Sequence, residues 1–191
     1  ARPVSEQNAI AGPPVRRLNW ACGAGGEPGW MNSDRKEGPG IDLCCDIRDG
    51  LPLAEASIDY AVSIHGLPEV PYPELVPVLA ELRRVLKPGG TLRLGLPDLE
   101  RAVAAYQRGD RDYFLIPDDE MRSLGGKLVV QLLWYGYSRT VFTHDFTTEL
   151  LLRAGFRSVH RCTYRETASG QPGIVELDNR EMESLFIEGV K

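Results

Sequence analysis

The stretch Pro73-Glu74-Leu75-Val76-Pro77-Val78-Leu79-Ala80-Glu81-Leu82-Arg83-Arg84-Val85-Leu86-Lys87-Pro88-Gly89-Gly90-Thr91-Leu92-Arg93-Leu94-Gly95-Leu96 decides the fold. Leu75, Val78, Leu79, Leu82, Val85 and Leu86 recur at helical spacing on one face, which predicts a helix over Pro73–Lys87. Pro73 and Pro77 fall in or near its first turn, where a missing N–H costs little. Lys87-Pro88-Gly89-Gly90 stops the helix and turns the chain. Thr91–Leu96 then reads as a strand returning beside whatever the helix covers.

The same alternation extends outward in both directions. Upstream, Val15–Trp20, Gly29–Asp34, Ile41–Asp46 and Ile58–Ile64 read as four strands, the last with the continuous apolar centre of a strand buried on both faces. Downstream, Leu99–Gln107, Asp118–Trp134 and Phe146–Ala154 read as helices, the last capped by Thr147 or Thr148 and stopped by Gly155. Phe156–Tyr164 and Glu183–Val190 read as late strands joined by the long loop Arg165–Arg180, hence a hairpin at one sheet edge. Strands alternating with helices imply an α/β fold: a Rossmann-like, doubly wound, mostly parallel sheet with an antiparallel edge hairpin. Residues 97–143 are too many for a plain connection and read as a helical cap over the ligand crevice. Residues 1–14, punctuated by Pro and Gly, read as a loose arm ahead of a single domain spanning 15–191.

Composition narrows the function. A chain of 191 residues fits one domain with its own core. A net charge of −5 opposes DNA or RNA as the main partner. The apolar run Leu128–Trp134 is far short of the ~20 residues that span a bilayer. Cys22, Cys44, Cys45 and Cys162 form no C-x-x-C pair, so no metal site or redox dithiol is spelled out. A reducing cytoplasm is the expected compartment.

Ligands of such sheets bind beyond the carboxyl ends of the strands, where strand order reverses. Four features converge there: the turn Ala21-Cys22-Gly23-Ala24-Gly25-Gly26 after the first strand, Asp34 after the second, Asp46 after the third, and His65 after the fourth. A Gly-rich turn lets backbone N–H groups approach a ligand, and an acid ending strand two suits a ribose diol. An acid after strand three, followed by apolar Ile47, suits an exocyclic amine and the ring bearing it. Together they describe an adenosine pocket. Singly, the Gly-rich turn reads as readily as a plain loop, and Asp34 and Asp46 read more readily as solvated turn acids than as ligands; their order along the strands carries the reading. Only eight residues separate Gly25 from Asp34, too few for a normal crossover helix and against a dinucleotide, whose acid lies ~20 residues beyond its glycines.

Leu18-Asn19-Trp20-Ala21-Cys22-Gly23-Ala24-Gly25 resembles the first motif of class I S-adenosylmethionine-dependent methyltransferases, and Ile58-Asp59-Tyr60-Ala61-Val62 resembles their fourth-strand motif. Leu79–Gly90 is similar to the helix and turn before their fifth strand. Pro28–Asp34, Leu96-Pro97-Asp98-Leu99-Glu100, Thr143-His144-Asp145-Phe146, Ala154-Gly155-Phe156 and Glu183–Glu188 are similar to a compact bacterial branch of the methyltransferase type 11 group. The resemblance implies S-adenosylmethionine as cofactor and S-adenosylhomocysteine as product. It places the methionine end at Ala21, Cys22 and Gly23, the ribose at Asp34, the adenine at Asp46 and Ile47, and the sulfonium over Ile64 and His65. The chain departs from the pattern at Asn19 in place of an acid, at Ala21 in place of the first Gly, and at Pro68-Glu69 in place of Glu-His.

Methyl transfer needs the acceptor held in line and close, and needs a base only for a hydroxyl or a protonated amine. His144, before a helix where the chain re-enters over the crevice, is the candidate catalytic base; the competing reading is a His that bonds backbone at the helix start. Trp134, Tyr135 and Tyr137 are candidates to line an acceptor pocket, and His160 reads as a surface residue. The expected acceptor is a small or medium-sized molecule, with oxygen or nitrogen of a sugar, lipid or secondary metabolite as target; no nucleic acid and no membrane are expected as partners. The alternatives are a cofactor-binding protein without turnover, a nicotinamide-dependent reductase and an RNA methyltransferase.

Overall fold

The computed structural model describes residues 15–191, so the arm assigned to 1–14 lies outside the described residues. Seven strands form one sheet in the order β3-β2-β1-β4-β5-β7-β6: β1 (Arg17–Trp20), β2 (Met31–Asp34), β3 (Leu43–Cys44), β4 (Ile58–Ile64), β5 (Leu86–Pro97), β6 (Ser158–Cys162) and β7 (Ser184–Val190). The first five are parallel, and β7 runs antiparallel between β5 and β6. The expected late hairpin is present, with its second strand inserted into the sheet and β6 at the edge. Strand order reverses between β1 and β4.

The helix read from Pro73–Lys87 is α1 (Leu75–Val85), entered through a 3-10 turn over Tyr72–Glu74 because the prolines at 71, 73 and 77 withhold N–H donors there. Leu75, Val78, Leu79, Leu82 and Val85 are buried, each worth ~1.5–3 kcal/mol in transfer. Instead of ending in a free turn, the chain enters β5 at once: Leu86 pairs with Ile58, Lys87–Gly90 bulge out, and pairing resumes at Thr91 against Tyr60. Gly89, at φ +77°, makes the bulge possible.

Two further helix starts differ from the sequence reading. After α2 (Leu99–Arg108) the next helix, α3 (Leu124–Leu133), starts late because Ser123 caps it by accepting from the Gly126 N–H. The last helix, α4 (His144–Arg153), is capped by Thr143; Thr147 and Thr148 lie within it and donate back to the carbonyls of Thr143 and His144.

The two faces of the sheet are covered differently. On one, α1 and α4 pack against Leu18, Leu92, Leu94, Leu96 and Ile187. On the other, no helix replaces the short β1–β2 connection. Asn19 and Asn32 bond side chain to side chain (3.0 Å), and Asn32 also takes the N–H and C=O of Glu27, fixing the loop in a helix's place. Trp30, Tyr60, Val62 and Ile174 form a second cluster there, so residues from the loop before β7 stand where a helical layer is usual.

That loop is held by Arg93. Its guanidinium is fully buried on β5, reaches Asp178 through two bonds (2.8 and 2.6 Å) and Glu188 through a third (2.7 Å), and donates to the carbonyls of Thr163 and Glu166. Arg93 and Glu188 are cross-strand partners of β5 and β7. Replacing Arg93 by Met leaves two buried carboxylates without a counter-charge. We expect a loss of about 3–5 kcal/mol of unfolding free energy, the scale on which breaking a buried pair is felt, in urea titrations. A loss below about 1 kcal/mol contradicts the role given to Arg93.

Candidate active site

A cavity of about 530 Å³ opens at the carboxyl ends of the strands, in the size range of small-molecule sites. It extends from the β1 and β2 ends, across the β4 end, to the β5 end and the cap. Ala21, Cys22, Gly23, Asp34, Asp46, Ile47, Ile64 and His65 all line it. The structure therefore gathers eight of the nine residues singled out from sequence. The ninth, His144, is half-buried at the first position of α4 and is not among the lining residues. Its backbone carbonyl accepts from the Thr148 hydroxyl. His160 is exposed on β6.

The backbone at the strand ends explains one departure from the motif. Ala21 has φ +54° and His65 has φ +58°, both in the left-handed region that favours glycine. A glycine would be at ease where Ala21 stands. A Cβ added to Gly66 would come within 2.4 Å of the Ala21 Cβ, so the two strand ends pack tightly against each other. Next to them Gly23, at φ +77°, has open space where a side chain would go.

Asp34 accepts from the Gly23 N–H (2.9 Å) and the Lys36 N–H (3.0 Å), one bond on each oxygen, which leaves lone pairs for a ligand diol. The Cys22 thiol is pushed up by burial and by the nearby Asp34 charge, so the residue serves as a small side chain beside the turn. Asp46 is occupied differently. Arg48 grips it through Nε and Nη2 as well as the backbone N–H, and this holds the carboxyl down at about 2. Ile47 beside it is buried and apolar. Asn19 bonds to Asn32 and is absent from the cavity wall, which accounts for the second departure. The His65 ring bonds Ser184 (2.7 Å) at the start of β7; burial, with the Arg180 charge adding to it, lowers its pKa to about 3.

At the cap end Trp134 and Tyr137, read from the sequence as candidates, line the cavity, whereas the polar residues beside them were not marked. Gln131, Trp134, Tyr137, Ser138 and Arg139 come from the cap, and Arg180 and Glu183 from the loop before β7. Gln131 carried a usable signal: Lys127 and Gln131, four apart in an otherwise apolar helix, are the two buried residues of α3. Lys127 donates to the Ile116 carbonyl and pairs with Asp118, while the Gln131 carbonyl oxygen accepts from the Leu115 N–H. Tyr135 is exposed and does not line the cavity. Among the described residues no group of His, Cys, Asp and Glu could hold a metal ion, and no helix is long and apolar enough to cross a membrane.

The donor set fits an adenosine-bearing sulfonium: a turn with open space at Gly23, a carboxylate with free lone pairs at Asp34, an apolar wall at Ile47, and a cavity large enough for a second molecule's reacting end. Residues 20–94 match the family model described as a methyltransferase domain. Solved structures share the fold over nearly the whole chain. A SAM-dependent methyltransferase from Thermotoga maritima, described as a possible histamine N-methyltransferase, is 20% identical, covers 94% of this chain and 83% of its own, and has a TM-score of 0.56. One from Archaeoglobus fulgidus is 12% identical over 93% and 86% (TM-score 0.56). One from Mesorhizobium loti is 18% identical over 93% and 91% (TM-score 0.53). A search of curated proteins finds no match.

Residues 20–94 are thus similar to a methyltransferase domain, and the sheet has the fold of the solved S-adenosylmethionine-dependent methyltransferases. The domain match supports an enzyme with S-adenosylmethionine as its cofactor.

His65 makes the site sensitive to acid. Its folded pKa of about 3 lies below the unfolded value of 6.5, so between them the unfolded chain binds the extra proton. The stability contributed by neutral His65 is complete above the unfolded value and is lost as the pH falls toward the folded one. Urea unfolding from pH ~7 to ~5 is expected to show a steeper loss in the wild type than in His65→Gln. Parallel curves contradict a depressed His65.

Proposed function

We propose that the protein transfers a methyl group from S-adenosylmethionine to an oxygen or nitrogen of a small or medium-sized acceptor, such as a sugar, lipid or secondary metabolite, held beneath the cap. The observation that carries this reading is the single cavity joining the adenosine-type wall to polar and aromatic residues of the cap. In this reading the Ala21–Gly23 turn holds the methionine end, Asp34 the ribose hydroxyls, Ile47 covers the adenine, and Ile64 and His65 form the floor at the switch point. The bound cofactor supplies a methyl carbon bearing a good leaving group. The chain's contribution is to align the acceptor, limit its motion and exclude water, for which proximity and orientation supply most of the rate. His65, neutral at physiological pH, keeps a second positive charge away from the floor. A base from His144 forms no part of this reading, because that residue is absent from the cavity wall. Four free cysteines, two of them adjacent, support a reducing cytoplasm as the compartment.

Titration calorimetry with S-adenosylmethionine and S-adenosylhomocysteine, run beside NADH, tests the reading. Micromolar binding of both sulfur ligands and none of NADH is expected. Asp34→Asn, which keeps an oxygen for the Gly23 N–H, is expected to weaken binding about tenfold, or about 1.4 kcal/mol. A folded sample that binds neither sulfur ligand overturns the assignment.

A further inference from the structure

The cap end of the cavity already holds a cation. The Arg180 guanidinium lies 5.2 Å from the centre of the Trp134 ring and donates to Glu183 Oε1 at 3.1 Å. All three residues line the cavity. Glu183 is 6% exposed, whereas the Arg180 side chain is 40% exposed, so the carboxylate belongs to the wall and the guanidinium reaches it from the loop. The second carboxylate oxygen of Glu183 accepts no hydrogen bond from the described residues. A buried carboxylate, an indole face and a cation seated between them form a recognition unit for positively charged nitrogen.

The unit is fixed from both sides. Glu183 follows the loop clamped by Arg93, its carbonyl receives the Asp98 N–H, and its neighbour Ser184 bonds the His65 ring. Trp134 stands at a sharp bend after α3, where Trp134 (φ +42°), Tyr135 (φ +56°) and Gly136 (φ +89°) are all left-handed. Two non-glycine residues in that region carry backbone strain of a kind met where geometry serves a site. The bend sets the indole beside Arg180. By sheet order this unit lies on the β5–β7 side of the switch point, opposite the Ala21–Gly23 turn and Asp34.

We propose that Glu183 and Trp134 form the acceptor subsite and select a small molecule carrying a protonated amine, with Arg180 as an internal occupant that the ligand displaces. The proposal rests on the methyltransferase reading and names its substrate class. Arg180 is well suited to give way: it is the exposed member of the pair and reaches the carboxylate through a single hydrogen bond. Arg139, also at the cavity wall, is exposed and offers an anionic acceptor a competing site.

Calorimetry with three isosteric probes decides between these chemistries: 2-phenylethylamine, 2-phenylethanol and 2-phenylacetate, each titrated into protein saturated with S-adenosylhomocysteine. The amine is expected to bind at least about tenfold tighter than the alcohol, with the carboxylate weakest. Glu183→Gln is expected to bring the amine to the level of the alcohol. Arg180→Met, which leaves Glu183 buried without its cation, is expected to tighten the amine about tenfold. Equal binding of amine and alcohol, preference for the carboxylate, indifference to Glu183→Gln, or no binding of any probe by the loaded protein each overturns the proposal. Retained S-adenosylhomocysteine binding in the variants separates these outcomes from misfolding. Failure of the wild type to bind that ligand at all brings down the methyltransferase reading instead.

Discussion

Much of this structure depends on one buried guanidinium. Arg93 sits on a central strand, on the sheet face covered by a loop with a short 3-10 turn instead of an α-helix, and its five donors are spent on Asp178, Glu188 and two carbonyls of the loop following β6. A planar fork of five donors is the side chain best able to hold two carboxylates and a backbone turn at once, and lysine has no equivalent geometry. The clamp draws the segment between β6 and β7 down over the sheet, where Ile174 joins Trp30, Tyr60 and Val62 in a small apolar layer. Arg17 extends the same layer by stacking on Trp30 and pairing with Glu176. The covering of one sheet face and the placement of Arg180 and Glu183 at the cavity are therefore two results of one interaction.

The sequence disclosed the parts of the fold that follow local rules. The apolar stripe of α1, the uninterrupted β4 and the acid ending β2 all lay where periodicity and turn chemistry put them, because buried surface and strand ends leave their mark within a few residues; the third strand is shorter than read, Leu43–Cys44, and Asp46 lies beyond it as the cap of a 3-10 turn. The bulge at Lys87–Gly90 did not show as such: its helix-stopping residues read as a plain turn, and only pairing with Ile58 and Tyr60 turns it into an interruption of a strand. The cap of α4 fell on Thr143 and not on the later threonines, since three threonines within six residues offer the backbone competing partners.

The site divides in the same way. Its adenosine side is made of residues adjacent to strand ends, and those are readable one motif at a time. Its cap side is made by long-range placement: Glu183 meets Trp134 through Arg180, and no spacing in the chain encodes that meeting. His144 shows the converse case, a chemically attractive residue near a helix start that is not among the residues lining the cavity. Asp46 shows a subtler one. Its position is as expected, yet Arg48, two residues on, takes both of its oxygens.

The loop before β7 has consequences for how this enzyme can change over generations. In a fold whose sheet is covered by helices, the segment that chooses the acceptor can drift while the helices keep the core closed. Here the loop that supplies Glu183 also roofs a sheet face, so altering it to suit a new acceptor exposes Trp30 and Tyr60 and unpairs Arg93. Variation that would alter specificity there draws directly on a small reserve of stability. Helices α2 and α3 of the cap carry no such double duty: the main apolar core draws on no residue of either. Diversification of acceptor choice is thereby channelled into the bend at Trp134–Gly136 and the turns around it, while the carboxylate facing them stays fixed by the architecture beneath.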